Sequence, residues 1–246
     1  MLHLRFCFLV LTFKIKKLEQ IGYMGDVRIM LELLPFLPRL IKGAGITIEL
    51  TVVAVIFGLL LGLLLALGRL SRNVIINKVS WVYIWFFRGT PLLMQLFFIY
   101  YAFPMFFDPP LKGMSATSAA FIAFSLNAGA YLAEIIRAAI QSIDKGQMEA
   151  AKAVGMTYGQ AMRRVIIPQS YRRLIPPVGN EFIMMIKDTS LVSVIAMQDL
   201  MRVTNEIQSL QAKALIYVPS AIIYLIMTTV FTIIFEKFEK KYSVYE

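Results

Sequence analysis

The sequence predicts an all-α fold, a polytopic membrane bundle of five transmembrane helices, and three observations carry that prediction. Hydrophobic residues make up 59% of the chain and charged residues only 16%, so water cannot be the medium for most of its surface. Stretches 44–68 and 214–235 carry one charge, Glu49, and none. Each matches the run of about 20 apolar residues that a ~30 Å hydrocarbon core requires of a helix. Between the apolar segments lies one long basic loop, in which Arg137, Lys145, Lys152, Arg163, Arg164, Arg172 and Arg173 face only Asp144 and Glu149.

Residues 1–43 form an N-terminal segment that does not span. Its first thirteen residues are apolar but too short, and Lys14-Ile15-Lys16-Lys17 follows them. A signal-like leader or partial anchor fits this pattern, and a translation start at Met24 fits it better, because it removes most of the positive charge from the segment. The first span, 44–68, contains Gly58, Gly62 and Gly68, and its Gly-x3-Gly pair permits close helix approach, with packing inside one subunit as the default reading. The second, 91–107, is short and aromatic. It opens at Phe87-Arg88-Gly89-Thr90-Pro91, where Thr90 can cap the helix and Pro91 fits its first turn. Phe97 to Phe107 reads as an aromatic belt at the outer surface. The third span, 115–136, is interrupted only by Asn127 and Glu134, and the fourth, 177–200, is led by Pro176-Pro177 and contains charges. The fifth is 214–235.

Lysine and arginine set the orientation. Arg69, Arg72 and Lys78 after the first span, the basic loop, and Lys237, Lys240 and Lys241 after the last all fall on one side of a five-span chain, which is then the cytoplasm. The N-terminus is outside and the C-terminus inside.

Several chemistries are excluded. Cys7 and His3 are the single cysteine and histidine, leaving no ligand set for zinc, haem or an iron–sulfur cluster, and no disulfide within the chain. There is no Gly-x4-Gly-Lys-Ser/Thr phosphate loop, and no histidine in the membrane domain for a nucleophilic triad. The net charge of +10 clusters at span ends, which the positive-inside rule explains without nucleic acid.

Polar residues inside spans point to function, because ionisable groups in hydrocarbon are costly and face interiors. Glu181 and Asp188 are seven apart and share a helix face, and Asn180 and Lys187 share the adjacent stripe. Asn127, Tyr131 and Glu134 form a second stripe, on the third span. Two such stripes could line a site for a zwitterion, with carboxylates holding an ammonium or guanidinium and amide or cationic groups holding a carboxylate. The alternative is structural, with Lys187 paired to a neighbouring acid and Asn127 bridging helices.

One set of motifs carries a resemblance. Glu149-Ala150-Ala151, three residues, Gly155, nine more, then Val165-Ile166-Ile167-Pro168 resembles the "EAA" loop of the membrane subunits of bacterial ATP-binding-cassette importers. The common pattern has Ile and Leu where this chain has Val165 and Ile167. Phe87 to Pro91 with Leu92-Leu93, Ala130 to Arg137, and Lys187-Asp188-Thr189-Ser190-Leu191 resemble the polar amino-acid branch, which includes histidine, glutamine and arginine permease subunits. The resemblance covers Met24 to Phe238.

It implies a transmembrane domain at 44–238 with a coupling loop at 137–175, and a cytoplasmic tail at 239–246. It also implies pairing with an identical or sister permease, two ATPase subunits on the cytoplasmic face and an extracytoplasmic solute-binding protein. ATP and magnesium would be bound by the ATPase subunits, with no cofactor and no catalytic residue in this chain. The helix at Glu149 to Gly155 would seat in the ATPase. Ala150 and Ala151 would allow close approach, Gly155 would reverse the chain, Glu149 would pair with a partner arginine, and Pro168 would close the motif. Asp188, Glu181, Asn127, Tyr131 and Lys187 would be the substrate-binding candidates. An ion-coupled secondary transporter would require inverted repeats, and none is visible; a non-catalytic membrane scaffold is the remaining alternative.

Overall fold

The computed structural model describes residues 33–107, 114–211 and 214–242. The proposed start at Met24, together with Cys7 and His3, lies outside the described residues. Among those residues there is no strand.

Helix α1 runs Leu37–Leu70, introduced by a 3-10 turn at Leu34–Phe36. Its 34 residues rise about 51 Å, well beyond a ~30 Å hydrocarbon core, so it starts upstream of the apolar run at 44. Ser71 ends it, and Asn73 caps α2 (Val74–Gly89) by accepting from the backbone N–H groups of Ile75 and Ile76. The stretch expected to be mainly connector is therefore largely helical. Next come α3 (Leu92–Phe97), a π turn at Phe98–Ala102 and a 3-10 turn at Phe103–Phe106. The pair α2 and 92–106 is bent by 104°, the geometry of a broken span or a re-entrant loop.

Thr90 does not cap α3. Its hydroxyl donates to the Phe86 carbonyl and closes α2, while Pro91 takes the cap position of α3 without a side-chain bond. A proline has no N–H to lose at a helix start, so it tolerates this position.

Helix α4 (Ala116–Gln141) is capped by Ser115 and packs along α1. A Cβ placed on Gly58 would lie 2.7 Å from the Ala128 Cβ, and one on Gly62 would lie 3.0 Å from the Ala133 nitrogen. The Gly-x3-Gly pair thus seats α1 against α4 within one chain. Around this contact lie Leu50, Ala54, Ala120, Phe124 and Leu132, all fully buried.

Helices α5 (Lys145–Ala153) and α6 (Tyr158–Ala161) follow, then a π turn (Met162–Ile166) and α7 (Ile167–Asp188). Pro176-Pro177 lies inside α7 instead of starting it, because Pro168 already occupies the first turn. A 3-10 segment, Thr189–Ile195, leads to α8 (Leu200–Gln211) and α9 (Tyr217–Tyr242). The fourth expected span, 177–200, is therefore the second half of α7 plus irregular chain. Among the described residues, three helical stretches are long and apolar enough to cross a bilayer: Leu34–Leu70, Ala116–Gln141 and Ala214–Lys241. The last is the least embedded, with 11% of its apolar window buried within the chain. It is held to α7 by Phe235, whose ring lies 2.8 Å from where a Gly179 Cβ would stand, and by Phe231, 4.6 Å from the Phe182 ring.

Candidate functional site

The heptad spacing on α7 separates two faces. Glu181 and Asp188 are half-buried and lie within electrostatic reach of each other, whereas Asn180 and Lys187 are exposed. Arg88, in the last turn of α2, acts electrostatically on Glu181. Its guanidinium lies 5.3 Å from the centroid of the Tyr131 ring, a cation–π distance. Glu134, one turn further along α4, feels Arg88 and Arg69 but is bonded to Arg137, with Oε2 2.6 Å from Nη2 and Oε1 3.1 Å from Nε. The structure thus brings Glu181 and Tyr131 to Arg88, with Asp188 next to Glu181 along α7.

Asn127 serves elsewhere. It is buried, and its Nδ2 donates to the Gln95 Oε1 at 2.9 Å and the Phe87 carbonyl at 3.2 Å. Gln95 Nε2 in turn donates to the carbonyls of Phe87 (2.9 Å) and Thr90 (3.0 Å) and to the Thr90 hydroxyl (2.8 Å). The break between α2 and α3 strips carbonyls of helical partners, and these two amides supply them. This is the interhelical role weighed for Asn127, and it presents Arg88 beside the bend. Gln95 was missed, although a lone amide within an apolar span was a signal available in the sequence.

Between the end of α1, α2 and α4 lies a cavity of about 410 Å³, walled by Arg69, Arg88, Tyr131, Glu134, Trp81 and Trp85 among others.

The second candidate region is the loop. Asp144 caps α5 by accepting from the Gly146 N–H at 2.7 Å. The helix ends on Gly155 in the left-handed region (φ 84°), with Met156 N–H bonded to the Ala151 carbonyl at 3.1 Å and Gly155 N–H to Lys152 at 2.9 Å. This paired closure is the Schellman arrangement, which favours glycine at that position. Thr157 and Gln160 then form a reciprocal capping box that starts α6. Ala151 is buried (5% exposed) and pins the helix down, while Glu149 and Ala150 are exposed and Val154 is 75% exposed. Pro168 is half-buried in the first turn of α7, just past the π turn. Gln169 Nε2 donates to the Gln147 Oε1 at 3.2 Å, tying α7 back to α5.

Comparison with known proteins places this geometry. Residues 58–244 match the family described as binding-protein-dependent transport system inner membrane component. The chain is similar to the L-cystine transport system permease protein TcyB of Bacillus subtilis (strain 168), 44% identical over 85% of this chain and 89% of the relative. It is also similar to the glutamine transport system permease protein GlnP of Escherichia coli (strain K12), 40% identical over 85% of this chain and 95% of the relative. Among solved structures, one described as an amino acid ABC transporter with histidines superposes with a TM-score of 0.80 at 42% identity, covering 86% of this chain and 97% of that one. The chain belongs to the family of binding-protein-dependent transport system inner membrane components.

Proposed function

We propose that the chain is the permease subunit of an ATP-driven importer that carries a polar amino acid across the cytoplasmic membrane by alternating access. It pairs with a second permease subunit, identical or sister. Two ATPase subunits bind the face carrying α5, and an extracytoplasmic solute-binding protein delivers the amino acid. ATP and magnesium sit on the ATPase subunits, so this chain is not itself an enzyme. The N-terminus faces outward and the C-terminus the cytoplasm.

One observation carries this reading. The exposed turn at Gly155 runs directly into a continuous helical rod, residues 158–188, that ends on Asp188 and carries Glu181. Such a rod is about 46 Å long, so displacing its docking end moves the two acids. Closure of the ATPase subunits then shifts the permease between two states by rigid-body movement, with energy supplied in trans. Glu149, Ala150, Ala151, Gly155 and Pro168 form the coupling element in this scheme. Glu149 and Ala150 meet the ATPase, Ala151 and Gly155 fix the helix and its turn, and Pro168 sets the start of the rod.

The substrate residues divide by position. Glu181 and Asp188 hold the ammonium or guanidinium, and Arg88, backed by Tyr131, takes the carboxylate. Asn127 acts through the bend. Lys187 reaches the path only where a second subunit covers the exposed stripe. Cystine and glutamine, named for the relatives, share the α-ammonium and α-carboxylate that such a set pairs with.

The test is ATPase activity of the reconstituted complex with its ATP-binding subunits and binding protein, adding amino acids one at a time. One polar amino acid stimulates hydrolysis, and Asp188→Asn loses most of that stimulation while the complex stays assembled. Amino-acid transport by the chain alone, driven by an ion gradient, would sink the proposal.

A further inference from the structure

We propose that the cavity between the end of α1, α2 and α4 binds the phosphate headgroup of an anionic membrane lipid. The cavity shares Arg88 and Tyr131 with the substrate set proposed above, whereas Glu181 and Asp188 are not among its walls, and free amino acids tell the two occupants apart.

The argument starts from charge. Two cations, Arg69 and Arg88, line the cavity, and neither is in an ion pair among the described residues. The acid in the wall, Glu134, already has both oxygens bonded to Arg137. The lining is therefore net cationic. Arg88 stays engaged with the Tyr131 ring. Arg69 is less satisfied: its Nη1 donates to Asn77 Oδ1, but its Nε is buried and has no hydrogen-bond partner. The buried Nε is closed to a ligand, but the Nη edge that Arg69 turns to the cavity keeps donors beyond the one given to Asn77, and a phosphate oxygen accepts from such an edge.

The rest of the wall identifies the source of that phosphate. Trp81 and Trp85 stack with ring centroids 6.1 Å apart, and they are 49% and 61% exposed. Along the same helix Val79 and Val82 are also exposed, at 64% and 51%. A soluble anion would gain nothing from this apolar lip, whereas a phospholipid lays its glycerol and upper acyl region along it. Tryptophan favours the headgroup level, and basic pockets between membrane helices are where anionic headgroups settle. Arg72 and Lys78 at the same end add long-range attraction and, by the positive-inside rule, put the site in the cytoplasmic leaflet.

The chain provides its own reporter. Trp81 and Trp85 are its two tryptophans, so intrinsic fluorescence of the purified full-length chain reads this cavity. The experiment places the chain in nanodiscs containing equal fractions of acyl-brominated phosphatidylglycerol or acyl-brominated phosphatidylcholine. The expected result is at least about twofold stronger quenching by phosphatidylglycerol, weakening as salt rises because headgroup attraction is screened. Arg69→Gln should abolish the preference. Asn77→Ala removes a partner of Arg69 but keeps the cation, and it should retain the preference, which separates charge recognition from folding. Equal quenching by the two lipids overturns the proposal. So does absence of quenching by either, which would mean that a second copy of the chain covers the tryptophans. An emission shift on adding free amino acids to phosphatidylcholine nanodiscs would assign the cavity to the transport path and overturn it as well.

Discussion

At Gly155 a single residue decides whether the loop can present its helix. A side chain there would meet open space, so the obstacle is not collision but the positive φ of 84°. A left-handed conformation costs a non-glycine residue roughly 1–2 kcal/mol. That cost falls on the turn closing α5, whose two backbone bonds fix where Glu149 and Ala150 stand. Gly155→Asp should therefore leave the membrane bundle folded but strip the ATPase subunits from the permease during co-purification. Normal recovery of the complex would refute the docking role. Glu181 and Asp188 show what periodicity conveys at this scale. Their spacing placed them on one face and Asn180 with Lys187 on another, and burial follows that division. Which face turns inward was not legible, since it depends on where α2 brings Arg88. For Asn127, the amide's partners come from a bend that local sequence patterns do not describe.

The bent pair of α2 and 92–106 shows how an element is held in an irregular shape. Gly89, Thr90 and Pro91 interrupt the helix, and the 104° bend would leave carbonyls unpaired in an apolar setting without Gln95 and Asn127. Gln95→Leu removes donors to Phe87 and Thr90 and the acceptor used by Asn127. Leaving such buried groups unsatisfied costs about 1–3 kcal/mol. The variant should show a lower Tm in detergent and a weaker response of ATPase activity to substrate, and an unaltered Tm would refute the latch. Elements with strong composition were legible: α1, α4 and α9 stand where long apolar runs stand. The others were not, for identifiable reasons. Helix α2 carries lysine, asparagine and serine at its start and reads as connector, yet Asn77 and Ser80 are absorbed by contacts with α1. Pro176-Pro177 reads as a helix start only until Pro168 is recognised as already filling that role.

For the whole molecule, the proposed orientation makes the side richest in positive charge the site of energy input. In that orientation Arg69, Arg72 and Lys78, the α5–α6 loop, and Lys237, Lys240 and Lys241 share one side. A fluorescent protein fused after the last residue should therefore be emissive and shielded from external protease, while a periplasmic reporter at the same position stays inactive. The reverse pattern would invert the proposed direction of import. The family relationship follows from motifs legible in the sequence, whereas the rod from Tyr158 to Asp188 runs through Pro176-Pro177, where the sequence reads as the start of a span. The gathering of Arg88, Tyr131 and Glu181 required three helices to be placed in space.

The notch at Gly179 has a consequence for the order of biosynthesis. Every residue of the contact between α1 and α4 is synthesised before α9, and α9 buries little of itself in the chain. The final helix thus arrives at an assembled surface and slides Phe235 into a slot that waits on α7. A nascent chain halted before Phe235 would carry a finished interior beside an open seam, the form that membrane quality-control proteases are suited to remove.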